Sequence, residues 1–343
     1  MAKLSFQESL AMTLTLLQIP LVLVYASLFG RWSKRANGRP LNRVLHDEIA
    51  HFVLSRLSIR QLQAVSGSSL AGYSEWARQK KIAHVVDELG NEARLMWVSA
   101  RDMDYVVIYC HGGGFQTISK KQNGVKLGVA ILQYSLHPES FPTQLDQFVL
   151  AVQHVMAKGV PPARIFLAGD SAGGNLVLQL LSHIRDPSAL ASTNPSLSNM
   201  VGFRGVCLLS PWVMSCIPKK RMMPSTWAPA KSLRVWQEAY MAVVPDSHRV
   251  YIQPAAAPSQ WFDGPDEVVG RVLVTVGSKE VLRDSIQDLA AVLQNSHRDF
   301  QLDVQEGGVH CDPMFDIAAK STAPHPVEQN IIEWFAQRIE DRH

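Results

Sequence analysis

Ser171 stands in Gly169-Asp170-Ser171-Ala172-Gly173, between the apolar run of residues 165–168 and a second one at 176–181. A serine among small residues, where a strand passes into a helix, can be pushed out of the backbone as a nucleophile, because only small neighbours permit so tight a turn. The helix that follows turns its unpaired N–H groups toward the same spot. The N–H of Ala172 is then one expected donor to a developing oxyanion, with Asp170 as a supporting neighbour.

A serine hydroxyl needs a base to take its proton. Of the 12 histidines, His310 follows the last strand-like run after a Gly-Gly turn, in "QEGGVHCDPMF". In this chain order the acid falls between nucleophile and base. His310 is the expected base; His297, at a polar helix end, and His325, between two prolines, read as surface residues. For the acid, "RVLVTVGSKEVLRDSI" offers Glu280 on the loop and Asp284 at the start of the next helix. Glu280 is the expected orienting carboxylate. Asp284 is the alternative acid, although an acidic residue there also suits the helix dipole. The other oxyanion donors are expected in "YCHGGGF": the N–H groups of Gly113 and Gly114, supported by His111 and Gly112. Without a Cβ, glycine lets backbone N–H groups face a ligand closely.

These residues need a sheet to hold them. "DYVVIYC", "GVAILQYSL" (128–136), "RIFLAG", "GVCLLS", "RVLVTVG" and "FQLDVQE" read as strands. Helical spacing alternates with them in "FPTQLDQFVLAVQHVMAKG", "AGGNLVLQLLSHI", "SIQDLAAVLQN" and "VEQNIIEWFAQRI". Continuous apolar strands alternating with helices imply a mostly parallel sheet covered on both faces. In such sheets chemistry sits at the strands' carboxyl ends, where Ser171 falls. Upstream, "IAHVVDEL" and "ARLMWVS" are short strand candidates, and residues 44–80 read as helical with a turn at "SGSSLAGY". In "LHDEIAHFVLSRL" the spacing puts Leu45, Ile49, Phe52, Val53 and Leu57 on one face.

"HGGGF" followed by "GDSAGG", with "SKEVLRD" and a late "GGVH", resembles the hormone-sensitive-lipase-like branch of the α/β-hydrolase superfamily. The chain is most similar there to fungal esterases and steryl-acetate-deacetylase-like proteins. The similarity runs from about residue 45 to 340, and "QYSLHPESFPTQLDQ" matches a scaffold stretch through Pro138, Glu139, Pro142 and Asp146. The resemblance implies an α/β-hydrolase fold with a helical lid, built here from residues 31–75 and 213–263. It also agrees with Glu280, just ahead of a Leu-Arg-Asp, as the acid. The activity it implies is hydrolysis of a carboxylic ester, with no cofactor and no metal. One departure is the short segment 116–128 after "HGGGF", where the family's usual helix is expected to be missing or reduced to a turn.

The chain has 343 residues, 47% hydrophobic and 18% charged, enough for one large α/β domain. A net charge of +3 argues against nucleic acid as the main partner. No metal-ligand cluster, phosphate loop or dinucleotide fingerprint occurs. Cys110, Cys207, Cys216 and Cys311 lack metal-site spacing and read as free thiols. Residues 10–29 carry no charge, and as a helix they would span about 30 Å, enough for a bilayer core. The expected organisation is a membrane anchor at 1–30 and a hydrolase domain at 31–343. A cleaved signal peptide ending near Ala26, or a buried lid helix, are the other readings. Arg31, Lys34, Arg35, Arg39 and Arg43 follow the apolar run, a bias that favours a cytosolic domain. The expected setting is the endoplasmic reticulum membrane. The resemblance, together with the apolar N-terminal segment and with Trp212, Trp227, Trp236 and Trp261 in or near the lid, implies as substrate a hydrophobic alcohol carrying a small acyl group, such as a sterol or secondary-metabolite ester. The alternative functions are a non-hydrolytic binding protein, or a cyclase or lyase, on the same scaffold.

Overall fold

A computed structural model describes residues 4–32, 38–99, 104–112, 127–185, 200–213, 229–257, 267–321 and 326–340. Among the described residues five α-helices come first: α1 (Phe6–Leu16), α2 (Ile19–Phe29), α3 (Leu41–Arg56), α4 (Ile59–Ser66) and α5 (Ser69–Lys80). The strands are β1 (Val85–Gly90), β2 (Ala93–Trp97), β3 (Tyr105–Cys110), β4 (Leu127–Gln133), β5 (Ile165–Asp170), β6 (Gly205–Leu209), β7 (Val272–Gly277) and β8 (Phe300–Gln305). Helices α6 (Thr143–Ala157), α7 (Ala172–Arg185), α8 (Ala230–Met241), α9 (Arg249–Ile252), α10 (Arg283–Ser296), α11 (Asp312–Ala318) and α12 (Pro326–Glu340) lie among and after them.

The sheet runs β1-β2-β4-β3-β5-β6-β7-β8. β1, β2 and β4 pair antiparallel, and every pair from β4 to β8 is parallel. Side chains alternate across it as a strand's period of two requires. Val106, Ile108 and Cys110 face the core under Phe148 and Leu176, while Val107 and Tyr109 face the one under Tyr73, Met314 and Trp334. The short segment after β3 does not interrupt the sheet: β3 and β4 pair in unbroken register from Tyr105↔Leu127 to Cys110↔Leu132. Residues 116–126 themselves lie outside the described residues.

The N-terminal part differs from the sequence reading in several places. The apolar helix begins at Phe6 and breaks at Leu17–Gln18, because Pro20 has no N–H for the Leu16 carbonyl. Its two halves fold back along α3 and α4. Gly30 seats against Val44 at one end, and the Gln61 side chain donates to the Glu8 carbonyl (2.8 Å) at the other. The turn expected over "SGSSLAGY" closes by Ser68, which caps α5 by accepting from the Ala71 N–H. Of the apolar set expected on one face of α3, Phe52 and Leu57 are buried and Leu45, Ile49 and Val53 half-buried; the helix also buries Arg43, Val44, Asp47 and Glu48, none of which is in that set. The strand expected over 128–136 ends at Gln133. From the second expected lid segment, α8 reaches α3, where the Ser232 hydroxyl donates to the Leu54 carbonyl (2.7 Å). Cys110, Cys207 and Cys311 are free and buried.

Candidate active site

β5 delivers the chain to Ser171, and α7 carries it away. Ser171 takes a left-handed φ of +49°, a strained value for a residue with a Cβ. The turn is held by the Ser171 N–H donating to the Leu209 carbonyl (2.9 Å) and by the Trp212 N–H donating to the Ser171 carbonyl (2.8 Å). The flanking glycines follow from space. A Cβ on Gly169 would stand 2.5 Å from the Gly173 backbone, and one on Gly173 would collide with the Cys110 carbonyl. So the small-residue pattern lets β3, β5 and α7 meet at one corner. Ala172 opens α7 immediately after the serine.

The loop after β8 brings His310 to this corner. Its Nε2 lies 2.9 Å from Ser171 Oγ, and both side chains are buried. Glu280, 1% exposed on the loop after β7, approaches from the other side: Oε1 lies 3.7 Å from His310 Nδ1. That is longer than a hydrogen bond and close enough for the two groups to pair by charge. The other oxygen of Glu280 accepts from the Ser210 hydroxyl (2.7 Å) and the Gly277 N–H (3.1 Å). Asp284 does not join the group; its carboxylate, half exposed in the first turn of α10, pairs with Arg283 (2.8 Å). His297 is buried rather than on the surface. Its Nε2 donates to the Val269 carbonyl (2.8 Å) and its Nδ1 accepts from the Asp299 N–H (3.1 Å), which closes the α10–β8 turn. His325, Gly113 and Gly114 lie outside the described residues.

Asp170 and His111 fix the start of the glycine loop. Asp170 Oδ1 accepts from the Tyr109 hydroxyl (2.6 Å) and from the Gly112 N–H (2.7 Å). Burial raises the Asp170 carboxyl above its ordinary pKa, against the pull of those two donors. Burial likewise keeps the Tyr109 phenol protonated, well above its usual range. His111 is fully hemmed in. Its Nδ1 donates to the Gly112 carbonyl (2.8 Å), its Nε2 accepts from the Ser69 hydroxyl (3.2 Å), and its ring stacks on Tyr134 at 4.9 Å. Burial holds its pKa below the usual 6.5, so the ring is neutral at neutral pH. The Tyr134 hydroxyl donates to the His111 carbonyl.

The family described as alpha/beta hydrolase fold matches residues 107–313, from β3 to the turn that holds His310. The chain belongs to that family. Its relatives place it in the hormone-sensitive-lipase-like branch of the α/β hydrolases. An acetyl-hydrolase of Streptomyces hygroscopicus is 30% identical over 208 residues, covering 56% of this chain and 63% of that protein. The hormone-sensitive lipase of Bos taurus is 39% identical over 99 residues, which is 25% of this chain and 13% of the lipase. The matches thus span less than two thirds of these relatives. Among solved structures, an esterase from the bacterial hormone-sensitive lipase family superposes with a TM-score of 0.60. It has 20% identity and covers 88% of this chain and 98% of its own. A hormone-sensitive lipase from a metagenome library gives 0.58 at 20% identity, with 85% and 97% covered. These likenesses are of fold.

Sequence reasoning did not single out Ser210, Tyr109, Tyr134 or Ser69 in this α/β hydrolase. For Ser210 a signal existed: it ends the strand next to the one carrying Ser171, so its hydroxyl falls at the same sheet edge. The other three are visible only once β3, β4 and α5 are assembled.

Proposed function

We propose that this α/β hydrolase is a serine esterase that removes a small acyl group from a hydrophobic alcohol. The carrying observation is the 2.9 Å contact between Ser171 Oγ, on its strained corner, and His310 Nε2. In this reading Nε2 is the bare nitrogen. It takes the serine proton as Oγ attacks the ester carbonyl carbon. The proton on Nδ1 faces Glu280, whose charge favours the imidazolium that forms. The tetrahedral oxyanion is met by the Ala172 N–H at the head of α7, together with the N–H groups of Gly113 and Gly114. His310 returns the proton to the departing alcohol, leaving an acyl group on Ser171. Water, deprotonated by the same imidazole, attacks that acyl carbon and releases the acid and the free serine.

The acetyl-hydrolase relative supports a short acyl group. Trp212 and Trp236, both partly buried against the core, support an apolar alcohol, with a sterol or secondary-metabolite ester as the class. The N-terminal helices and α8 are proposed as the lid. The apolar helix of residues 6–29 is proposed to hold the molecule against a lipid surface, with the endoplasmic reticulum as the setting. Of the five basic residues behind the cytosolic assignment, Arg39 and Arg43 are engaged inside the protein by Asp47 and Asp312. The side chains of Arg31, Lys34 and Arg35, which supply the rest of that bias, lie outside the described residues.

A fluorophosphonate probe tests the reading without knowledge of substrate. Wild type is expected to label and Ser171→Ala not to, with ester hydrolysis falling on the order of 10⁴-fold or more. Cleavage of p-nitrophenyl acetate is expected to exceed that of the octanoate. A folded wild type that does not label would overturn the esterase reading in favour of a binding protein.

A further inference from the structure

Arg43 is fully buried, yet no part of the mechanism above uses it. It sits on α3, more than 260 residues away in sequence from two of the groups it binds, Asp312 and Asp316. Its Nε donates to Asp47 (2.7 Å), one turn along the same helix. Its Nη2 donates to Asp312 (2.6 Å), and its Nη1 to Asp316 (2.6 Å) and to the Asp312 carbonyl (3.2 Å). Phe315 closes the cluster, its ring 5.6 Å from the guanidinium carbon. The second oxygen of Asp312 accepts from Arg39 (2.8 Å) and Gln305 (2.8 Å). Every oxygen of Asp312, side chain and main chain, is therefore committed.

Asp312 is two residues beyond His310. Cys311, between them, takes a left-handed φ of +51°, and its N–H donates to Ser210 Oγ (3.1 Å), the hydroxyl that also donates to Glu280. The His310 turn is thus gripped on the sheet side by Ser210 and on the helical side by Arg43. Burying a guanidinium costs several kcal/mol, and an apolar contact would tie α3 down with less penalty. What the guanidinium adds is direction: one arm of its planar fork meets the Asp312 carboxylate and the other the Asp312 main-chain carbonyl, a two-point hold that neither an apolar contact nor a lysine supplies in the same plane.

We propose that Arg43 is a positioning residue that sets the His310 imidazole against Ser171 through its fork to Asp312. α3 thereby becomes part of the frame of the site as well as of the helical layer above it. Because α2 seats on the neighbouring Val44 and α8 on Leu54, displacement of either helix reaches His310 by the same route. This assignment rests on His310 being the base.

The test compares Arg43→Lys, Asp312→Asn and Asp47→Asn in the full chain, reading thermal unfolding, fluorophosphonate labelling rate, and kcat and KM on p-nitrophenyl acetate. Arg43→Lys and Asp312→Asn are expected to lower kcat and labelling rate about 10- to 100-fold, the cost of roughly 1 Å of misplacement, with KM little changed. The Arg43→Lys/Asp312→Asn double variant is expected to be no slower than the slower single one, because both break the same link. Asp47→Asn removes an equally buried partner of Arg43 on α3 itself, so it is expected to lower the melting temperature while leaving kcat within about twofold. Equal kcat losses in Asp47→Asn and Asp312→Asn would reduce the cluster to a structural role and overturn the proposal. So would full kcat in Arg43→Lys. If Arg43→Lys does not fold, the contrast between the two aspartate variants decides. Absence of labelling in wild type would instead overturn the esterase reading.

Discussion

Glu280 faces His310 with one oxygen while Ser210 and the Gly277 N–H hold the other, so its carboxylate is aimed without being spent. Asp284 is spent on Arg283 in the first turn of α10. Glu280→Gln keeps the shape but removes the charge proposed to favour the imidazolium, and is expected to lower kcat by about 10²- to 10⁴-fold. Asp284→Asn is expected to stay within a few-fold, and steady-state kinetics on the two variants checks the assignment. His111 makes a prediction about stability instead. Its folded pKa is depressed by burial, so the unfolded chain binds a proton before the folded one does. Its contribution is complete above the ordinary 6.5 and is lost as pH falls from there toward the folded value. Urea denaturation is expected to show His111→Gln losing less stability than wild type between pH 7.5 and 5. Residues that stand in a rare local pattern can be picked out in advance, and the structure brings three of them, Ser171, His310 and Glu280, to one corner. Ser210 and Tyr109 carry ordinary hydroxyls that acquire a task only from the strand lying beside them.

At the scale of the element, what the sequence conveyed depends on how each helix or strand is covered. β3, β5, β6 and β7 are buried along nearly their whole length and read as unbroken apolar runs. On α3 the apolar side could be read, but buried Arg43 and Asp47 could not, because a buried ion pair looks in sequence like a solvated face. α11 was not anticipated: it has seven residues, and Pro313 beside His310 reads as a turn before it reads as a helix start. His297 seemed exposed for the same kind of reason, since only the folded α10–β8 turn supplies the Val269 carbonyl that it meets. The β5–α7 corner is where element packing is tightest, with the Gly169 Cα side against the Gly173 backbone. Gly169→Ala must push α7 away from β5. It is expected to cost about 1–3 kcal/mol of stability, as overpacking does, and a urea titration reads it directly. Retained stability in that variant would mean the corner is looser than its distances imply.

At the scale of the whole molecule, the outstanding feature is the continuous apolar face of the N-terminal helix. Leu10, Leu14, Leu17, Leu21, Val24 and Leu28 recur every three or four residues, and each is about half exposed or more. Tyr25, Phe29 and Trp32 gather at one end, with ring centroids 5.4 and 6.4 Å apart, as amphipathic rings do at a headgroup boundary. Length and composition alone would let residues 6–29 cross a bilayer. Yet the helix is held to α3 and α4 at both ends, by Gly30 on Val44 and by Gln61 on Glu8. To cross, it would have to give up these contacts; lying along the surface keeps them and still buries the leucine stripe. Each leucine taken into acyl chains contributes about 1.5–3 kcal/mol, so three of them decide between bound and free. Wild type is therefore expected to float with phosphatidylcholine vesicles and to come off in alkaline carbonate, as a surface-lying helix does. Leu14→Gln/Leu21→Gln/Leu28→Gln is expected to stay in the dense fraction while hydrolysing a water-soluble ester at the wild-type rate. Resistance of wild type to carbonate would mean that the helix leaves α3 and spans the membrane. Flotation of the triple variant would mean that another surface makes the contact.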